Sequence, residues 1–100
     1  MSKQKQLVRE QFRSAVFNRD SFKCRVCGKR DELDAHHITN RKEMPNGGYV
    51  KENGISLCSN CHIMAEWCLK GNHDETYAPA KLYQLISSSH ALAIAASNKL

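Results

Sequence analysis

Apolar and polar positions recur with different periods along the chain, and these periods predict its first elements. Over residues 3–18, apolar side chains recur at three- and four-residue spacings, which predicts a helix. They are Leu7, Val8, Phe12, Ala15 and Val16. The polar stretch NRDSF ends this pattern. Residues 33–39 and the segment GISLC (residues 54–58) have the character of two strands, and MPNGGY between them contains the strongest turn signal.

The second half of the chain is predicted to be helical after its strand. Ser59 or Asn60 is a candidate N-cap for a helix over about residues 61–70, which the dipeptide GN would end. Pro79 fits the first turn of a further helix that continues to about residue 87. The final segment HALAIAASNKL is interpreted either as a last helix or as a fraying tail.

Length and composition predict one small intracellular domain. The 100 residues suffice for one domain, with a core over about residues 12–70 and a helical extension over about 78–100. Hydrophobic residues make up 41% of the chain, which argues against disorder, and no apolar run approaches a membrane span. No secretory signal is recognised at the N-terminus, so we expect a reducing, cytoplasmic environment and no membrane association. A core of this size is marginal, and a stabilising metal is therefore expected.

Positive charge is concentrated in the first half. Residues 1–51 contain 12 Lys and Arg against 6 Asp and Glu, whereas residues 52–100 contain 3 against 4. A basic half suits a polyanionic partner such as nucleic acid, although a solvated surface explains the charge equally well.

Four cysteines form two pairs with metal-ligand spacing. Cys24 and Cys27 form one C-x-x-C motif, and Cys58 and Cys61 form the second. Two such pairs predict a tetrahedral structural zinc site with no open position for water. The alternatives are a redox pair, which needs only one motif, or chance. Cys68 lies outside the pairs and is expected to be a buried or free thiol.

The segment between the cysteine pairs contains the residues that suggest chemistry. Thirty residues separate Cys27 from Cys58, more than the roughly 15 to 20 of a simple zinc ribbon. The insert contains adjacent histidines, His36 and His37, which point to opposite faces if they lie in a strand. His62 directly follows Cys61, so a zinc ion would fix its position. His73 and His90 lie in polar surroundings and are expected at the surface.

Together these segments resemble the HNH nuclease family, whose fold is a ββα-metal core. The resemblance runs from about residue 12 to 67 and rests on VFNRDSFKCRVCGK, LDAHHI, NGG and ENGISLCSNCH in that order. His37, Asn53 and His62 match the three motif positions. His36 occupies a position that is often Asp in the family. The resemblance implies an α+β fold with a structural zinc site, an N-terminal helix and C-terminal helices.

The resemblance also implies a division of labour among these side chains. His37 would be the general base that activates water, and His36 and His62 would hold a catalytic divalent cation, Mg²⁺, Mn²⁺ or Ni²⁺. Asn53 would tie the loop between the strands and so position the base. Products with 5′-phosphate and 3′-hydroxyl ends are implied. Because nitrogen ligands favour Mn²⁺ or Ni²⁺ over Mg²⁺, activity with either is expected to be at least as high.

The sequence therefore predicts a metal-dependent DNA endonuclease, and the alternative is a non-catalytic zinc-binding module for nucleic acid or a protein partner. A binding module does not need His37, Asn53 and His62 together, whereas a nuclease does. A third option, a redox or metal-storage protein, leaves the basic half unexplained.

Two clusters of basic residues are predicted to contact DNA phosphates, with an ordinary solvated loop as the alternative. They are Arg25, Lys29 and Arg30 beside the first cysteine pair, and Arg41 and Lys42 after the histidines. A nuclease this small is expected to be weakly specific, to form a homodimer, or to be guided by a larger partner. A phage or mobile-element origin is one setting that the resemblance allows.

Overall fold

The computed structural model describes residues 3–72 and 74–100, and His73, predicted at the surface, lies outside them. Six main elements follow one another along the described residues: α1 (Lys3–Arg19), β1 (Leu33–His37), β2 (Gly54–Cys58), α2 (Ser59–Leu69), α3 (Pro79–Leu85) and α4 (His90–Ser97). Short 3-10 turns connect several of them. The predicted α+β class is confirmed, with β1, β2 and α2 forming a ββα unit.

Helix α1 follows the predicted periodicity but is buried only in part. Phe12 and Val16, one helical turn apart, are buried, whereas Leu7 near the N-terminus is 53% exposed. Val8 is half-buried. The buried contacts of α1 therefore lie towards its C-terminal half, and its N-terminal half is largely exposed.

The two strands pair antiparallel, with His36 opposite Ile55 and His37 opposite Gly54. Gly54 permits α1 to approach the sheet closely, because a Cβ at this position would lie 2.5 Å from Val16 Cγ2 and 2.7 Å from the Phe12 ring. The observed β1 ends at His37, two residues earlier than predicted, since the Asn53 side chain and not a strand partner binds the Thr39 backbone.

Helix α2 begins earlier than predicted. It begins at Ser59, directly after β2, and its N-cap residue is Cys58, which makes no side-chain capping hydrogen bond. The predicted cap at Ser59 or Asn60 is therefore wrong, because strand β2 continues into the helix without a loop. Its C-terminal boundary agrees with the prediction to within one residue.

The C-terminal helices pack back onto the ββα unit. Leu82 and Tyr83 of α3 and Ala93 of α4 are buried in the same core as Ile55 and Leu57. His90 at the start of α4 is exposed, as predicted. Among the described residues, no helix combines the length and apolar character that crossing a bilayer requires.

Helix α3 ends at Leu85, two residues earlier than predicted, in a Schellman motif. Ser87 adopts a positive φ of 54°. The Ser88 amide donates to the Tyr83 carbonyl at 2.9 Å and the Ser87 amide to the Gln84 carbonyl at 3.1 Å, which satisfies the final carbonyls.

Candidate functional site

The two cysteine pairs converge on one point. The Sγ atoms of Cys24, Cys27, Cys58 and Cys61 all lie within 4.8 Å of one another. Those of Cys27 and Cys58 are 3.6 Å apart. A Zn–S distance of about 2.3 Å gives a tetrahedral edge of about 3.8 Å, so these thiols fit a tetrahedral ion.

Local backbone geometry positions these thiols. The Cys24 carbonyl accepts a hydrogen bond from Gly28 at 2.9 Å, and the positive φ of Gly28 (84°) completes the turn. The Arg25 amide donates to the Ser56 carbonyl at 2.9 Å, which joins this knuckle to β2. Burial raises the pKa of the Cys24 thiol, but backbone N–H groups, first that of Cys27, lower it to about 7. Such donors favour the thiolate, the form that binds metal.

A second group of candidate metal ligands lies between β1 and α2. Ligand atoms of His36, His62 and Glu66 lie within 4.8 Å of one another. Glu66 Oε1 is 3.2 Å from His62 Nε2 and 3.7 Å from His36 Nδ1. Burial, with a smaller effect of His62 and then His37, lowers the pKa of His36 to about 3, so its ring is neutral near pH 7.

The His36 ring tests whether this group fits a cation. Both of its nitrogens are buried and have no hydrogen-bond partner within the described part of the chain. An unpaired buried imidazole is costly, and a metal ion beside it would supply the missing partner. The residues therefore fit a divalent cation bound by two nitrogens and one carboxylate oxygen.

Two acidic residues at this site, one of the group and one beside it, were missed from the sequence. Glu66 lies four residues after His62 on α2, a spacing that places both side chains on one helix face and could have been used to find it. Asp34 Oδ2 lies 3.3 Å from His62 Nδ1, on the ring edge away from Glu66. A carboxylate in that position holds a ligand histidine in one orientation.

His37 lies on the other face of β1, against α1. Its ring stacks on Phe12 with centroids 4.4 Å apart and lies perpendicular to the Tyr49 ring, with centroids 4.9 Å apart. Burial, together with the charge of Arg41, lowers the pKa of His37 to about 4. A neutral imidazole held between two aromatic rings can accept a proton.

Asn53 connects the segment after His37 to the turn before β2. It is fully buried, and its Oδ1 accepts hydrogen bonds from the Thr39 amide at 3.0 Å and the Tyr83 hydroxyl at 2.7 Å. Its Nδ2 donates to the carbonyls of Thr39 at 3.1 Å and Gly48 at 3.3 Å. The side chain thus restrains the backbone two residues beyond His37.

An open cavity of about 400 Å³ lies beside these groups and is lined by residues of α1, β1 and α2. Histidines and carboxylates form one part of its lining: His37, His62, Asp34 and Glu66. Three arginines also line it: Arg9, Arg13 and Arg41. The cavity therefore brings a neutral imidazole, two candidate metal ligands and cationic side chains together.

The predicted DNA-contact residues separate into two places. Arg41 lines the cavity beside His37, and Lys42 lines a neighbouring one. Arg25, Lys29 and Arg30 line neither cavity. Arg9 and Arg13 were missed, although their four-residue spacing on α1 is visible in the sequence.

Comparison with known proteins supports the resemblance. Residues 24–66 match the family model described as HNH endonuclease. The match contains both cysteine pairs, the histidine pair, Asn53 and the His62–Glu66 group, and it starts later than the resemblance inferred from residue 12. No curated protein and no solved structure gives a significant match.

Proposed function

We propose, on the premise of the HNH endonuclease match over residues 24–66, that this chain is a metal-dependent DNA endonuclease. The observation that carries the proposal is the shared cavity, in which His37 lies beside His62, Glu66 and three arginines. A non-catalytic zinc module has no use for a neutral buried imidazole next to an unsatisfied metal-ligand group. The reaction class that this arrangement serves best is hydrolysis of a phosphodiester.

In the proposed reaction, one ring nitrogen of His37 accepts a proton from the water that attacks phosphorus. The new P–O bond forms as the bond from phosphorus to the 3′-oxygen breaks, and that oxygen gains a proton from solvent. The products carry 5′-phosphate and 3′-hydroxyl ends. Arg9, Arg13 and Arg41 bind the phosphate oxygens, and the rings of Phe12 and Tyr49 hold the base in place.

His36, His62 and Glu66 would hold the catalytic cation, with Asp34 fixing the orientation of His62. A divalent cation bound there supplies positive charge that offsets the charge developing on the phosphate oxygens. Two imidazole nitrogens and one carboxylate favour Mn²⁺ or Ni²⁺ over Mg²⁺. The cysteine group would hold a structural zinc ion, because four sulfurs leave no coordination position for substrate.

Plasmid cleavage tests this proposal. Supercoiled DNA is incubated with zinc-loaded protein and Mg²⁺, Mn²⁺ or Ni²⁺, with EDTA as the blank. We expect cleavage with Mn²⁺ or Ni²⁺ at least as fast as with Mg²⁺, and loss of cleavage in His37→Ala. The matched control is His90→Ala, which removes an exposed histidine outside the cavity.

Three outcomes would contradict parts of the proposal. Cleavage that persists in a folded His37→Ala protein would exclude His37 as the base. Activity confined to Mg²⁺ would argue against His36 as a ligand. No cleavage with any metal, while elemental analysis finds one bound zinc, would favour the non-catalytic binding module.

A further inference from the structure

A second cavity, of about 630 Å³, adjoins the first along helix α1. Arg9, Arg41 and Tyr49 line both cavities, so the two are neighbours on either side of these side chains. The second cavity, here called the α1 groove, is lined by Gln4, Lys5, Val8, Arg9, Arg41, Lys42, Asn46, Gly47 and Tyr49. It extends the His37 cavity towards the N-terminal half of α1, the half that does not pack on the sheet.

Charge differs sharply between the two cavities. Of the described residues that line the α1 groove, four are cationic and none is acidic. The lining of the His37 cavity includes Asp34 and Glu66. A phosphodiester chain that passes through the His37 cavity is therefore attracted towards the more positive α1 groove.

The boundary between the cavities is a connected set of side chains. Arg41 Nη1 donates to the Tyr49 hydroxyl at 2.7 Å, and the Arg9 guanidinium lies close enough to contribute to the lowered pKa of that hydroxyl. The Tyr49 ring packs perpendicular to the His37 ring. The two guanidinium groups are therefore positioned relative to the base, at the point where a strand would leave the reaction site.

The cations beside the zinc knuckle lie close to carboxylates. The Arg25 guanidinium donates to the Leu85 carbonyl and lies 3.7 Å from Asp20. Lys29 pairs with Glu32 at 3.6 Å. Their charges are partly compensated by neighbouring carboxylates, which lowers the attraction that remains for a polyanion.

We propose that the α1 groove binds the phosphates that flank the scissile one in duplex DNA, with Lys5 and Lys42 as the contacts beyond the boundary formed by Arg9 and Arg41. The substrate then leaves the reaction site along the N-terminal half of α1 and not over the zinc knuckle. This inference rests on the proposed nuclease function, because it takes the His37 cavity as the place where DNA is cut.

Three double variants, each of which removes two positive charges, test the inference. Lys5→Gln/Lys42→Gln changes the groove, Lys29→Gln/Arg30→Gln changes the knuckle, and Lys23→Gln/Lys81→Gln removes two exposed lysines outside both cavities. Fluorescence anisotropy measures duplex binding by the zinc-loaded full chain without added divalent cation, over a series of NaCl concentrations. Circular dichroism and zinc content check that each variant is folded.

In a plot of log K against log [NaCl], the slope for the groove variant should be shallower by about 2. The variant loses two phosphate contacts, and each lost contact removes about 0.9 from the slope. The knuckle and control variants should keep the slope of the unmodified protein. Equal losses in all three variants, or a larger loss in the knuckle variant, would overturn the inference.

Cleavage with Mn²⁺ separates this inference from the proposed function. If the unmodified protein cleaves DNA but the groove variant keeps the full salt dependence, the assignment of the groove as a phosphate-binding surface is wrong and the nuclease function stands. If the protein binds DNA with the expected groove dependence but never cleaves, the groove stands only as a DNA-binding surface and the nuclease function is wrong. Absence of any duplex binding would overturn both.

Discussion

The substitution Asn53→Ala, which removes a buried amide, should greatly lower the denaturant concentration at which the protein unfolds. The side chain makes four hydrogen bonds, to the Thr39 amide, the Thr39 carbonyl, the Gly48 carbonyl and the Tyr83 hydroxyl. In Asn53→Ala the hydroxyl of Tyr83 keeps a partner, Thr39 Oγ1 at 2.6 Å, but the other three groups lose theirs. Each buried unpaired group costs about 1–3 kcal/mol, so the free energy of unfolding should fall by about 3–9 kcal/mol. That is a large fraction of the roughly 5–15 kcal/mol that stabilises a small domain.

Urea titration followed by far-UV circular dichroism, in zinc-saturated buffer, measures this change. The matched control is Tyr83→Phe, which removes the hydrogen bond to Asn53 Oδ1 and the one with Thr39 Oγ1 and should cost about 1–3 kcal/mol. Asn53→Asp keeps the shape and Oδ1, but it replaces the two donors by an oxygen against the Thr39 and Gly48 carbonyls and adds a buried carboxylate. We expect it to be destabilised more than Tyr83→Phe.

An Asn53→Ala protein within about 1 kcal/mol of the unmodified chain, or no less stable than Tyr83→Phe, would refute the view that this amide ties the loop. If the reasoning is correct, cleavage should also fall in Asn53→Ala at denaturant-free conditions where the protein is still folded. Asn53 would then be a positioning residue, since it restrains the backbone at Thr39 and does not itself line the cavity beside His37.

Three further changes test other parts of the structure. Glu66→Gln removes the anionic candidate ligand and should weaken Mn²⁺ binding by at least about tenfold. Calorimetry on zinc-loaded protein measures this affinity, and an unchanged value would exclude Glu66 from the cation site. Cys24→Ser should lose zinc and folding together, because zinc binding of about 10–16 kcal/mol is also folding free energy, whereas Cys68→Ser should keep one zinc ion by elemental analysis. A folded, zinc-free Cys24→Ser protein would contradict the four-cysteine site. Gly54→Ala should lower the unfolding free energy by about 1–3 kcal/mol in urea titration, because the new methyl meets Val16 Cγ2 at 2.5 Å; a neutral effect would show that α1 shifts freely.

The sequence by itself determined the local elements and the metal-ligand motifs. The strand over Gly54–Cys58 has the predicted bounds, and helix α1 agrees with its prediction to within one residue, because apolar periodicity and turn residues act over short distances. The convergence of Cys24, Cys27, Cys58 and Cys61 was also predictable, since paired spacing restricts the geometry of each knuckle. Glu66 could also have been predicted from its spacing, because it lies four residues after His62 on the same helix.

Only the tertiary structure decided what surrounds the histidines. Phe12 stacks on His37 across 25 positions of sequence, and Tyr83 reaches Asn53 across 30. Such contacts depend on how α1 and α3 pack against the sheet, which no local pattern encodes. The charge distribution changed for the same reason: Arg9 and Arg13 reach the cavity because the small Gly54 lets α1 lie close to β2, while Arg25 and Lys29 lie beside Asp20 and Glu32. Packing thus selected which of the many basic residues lie beside the candidate base.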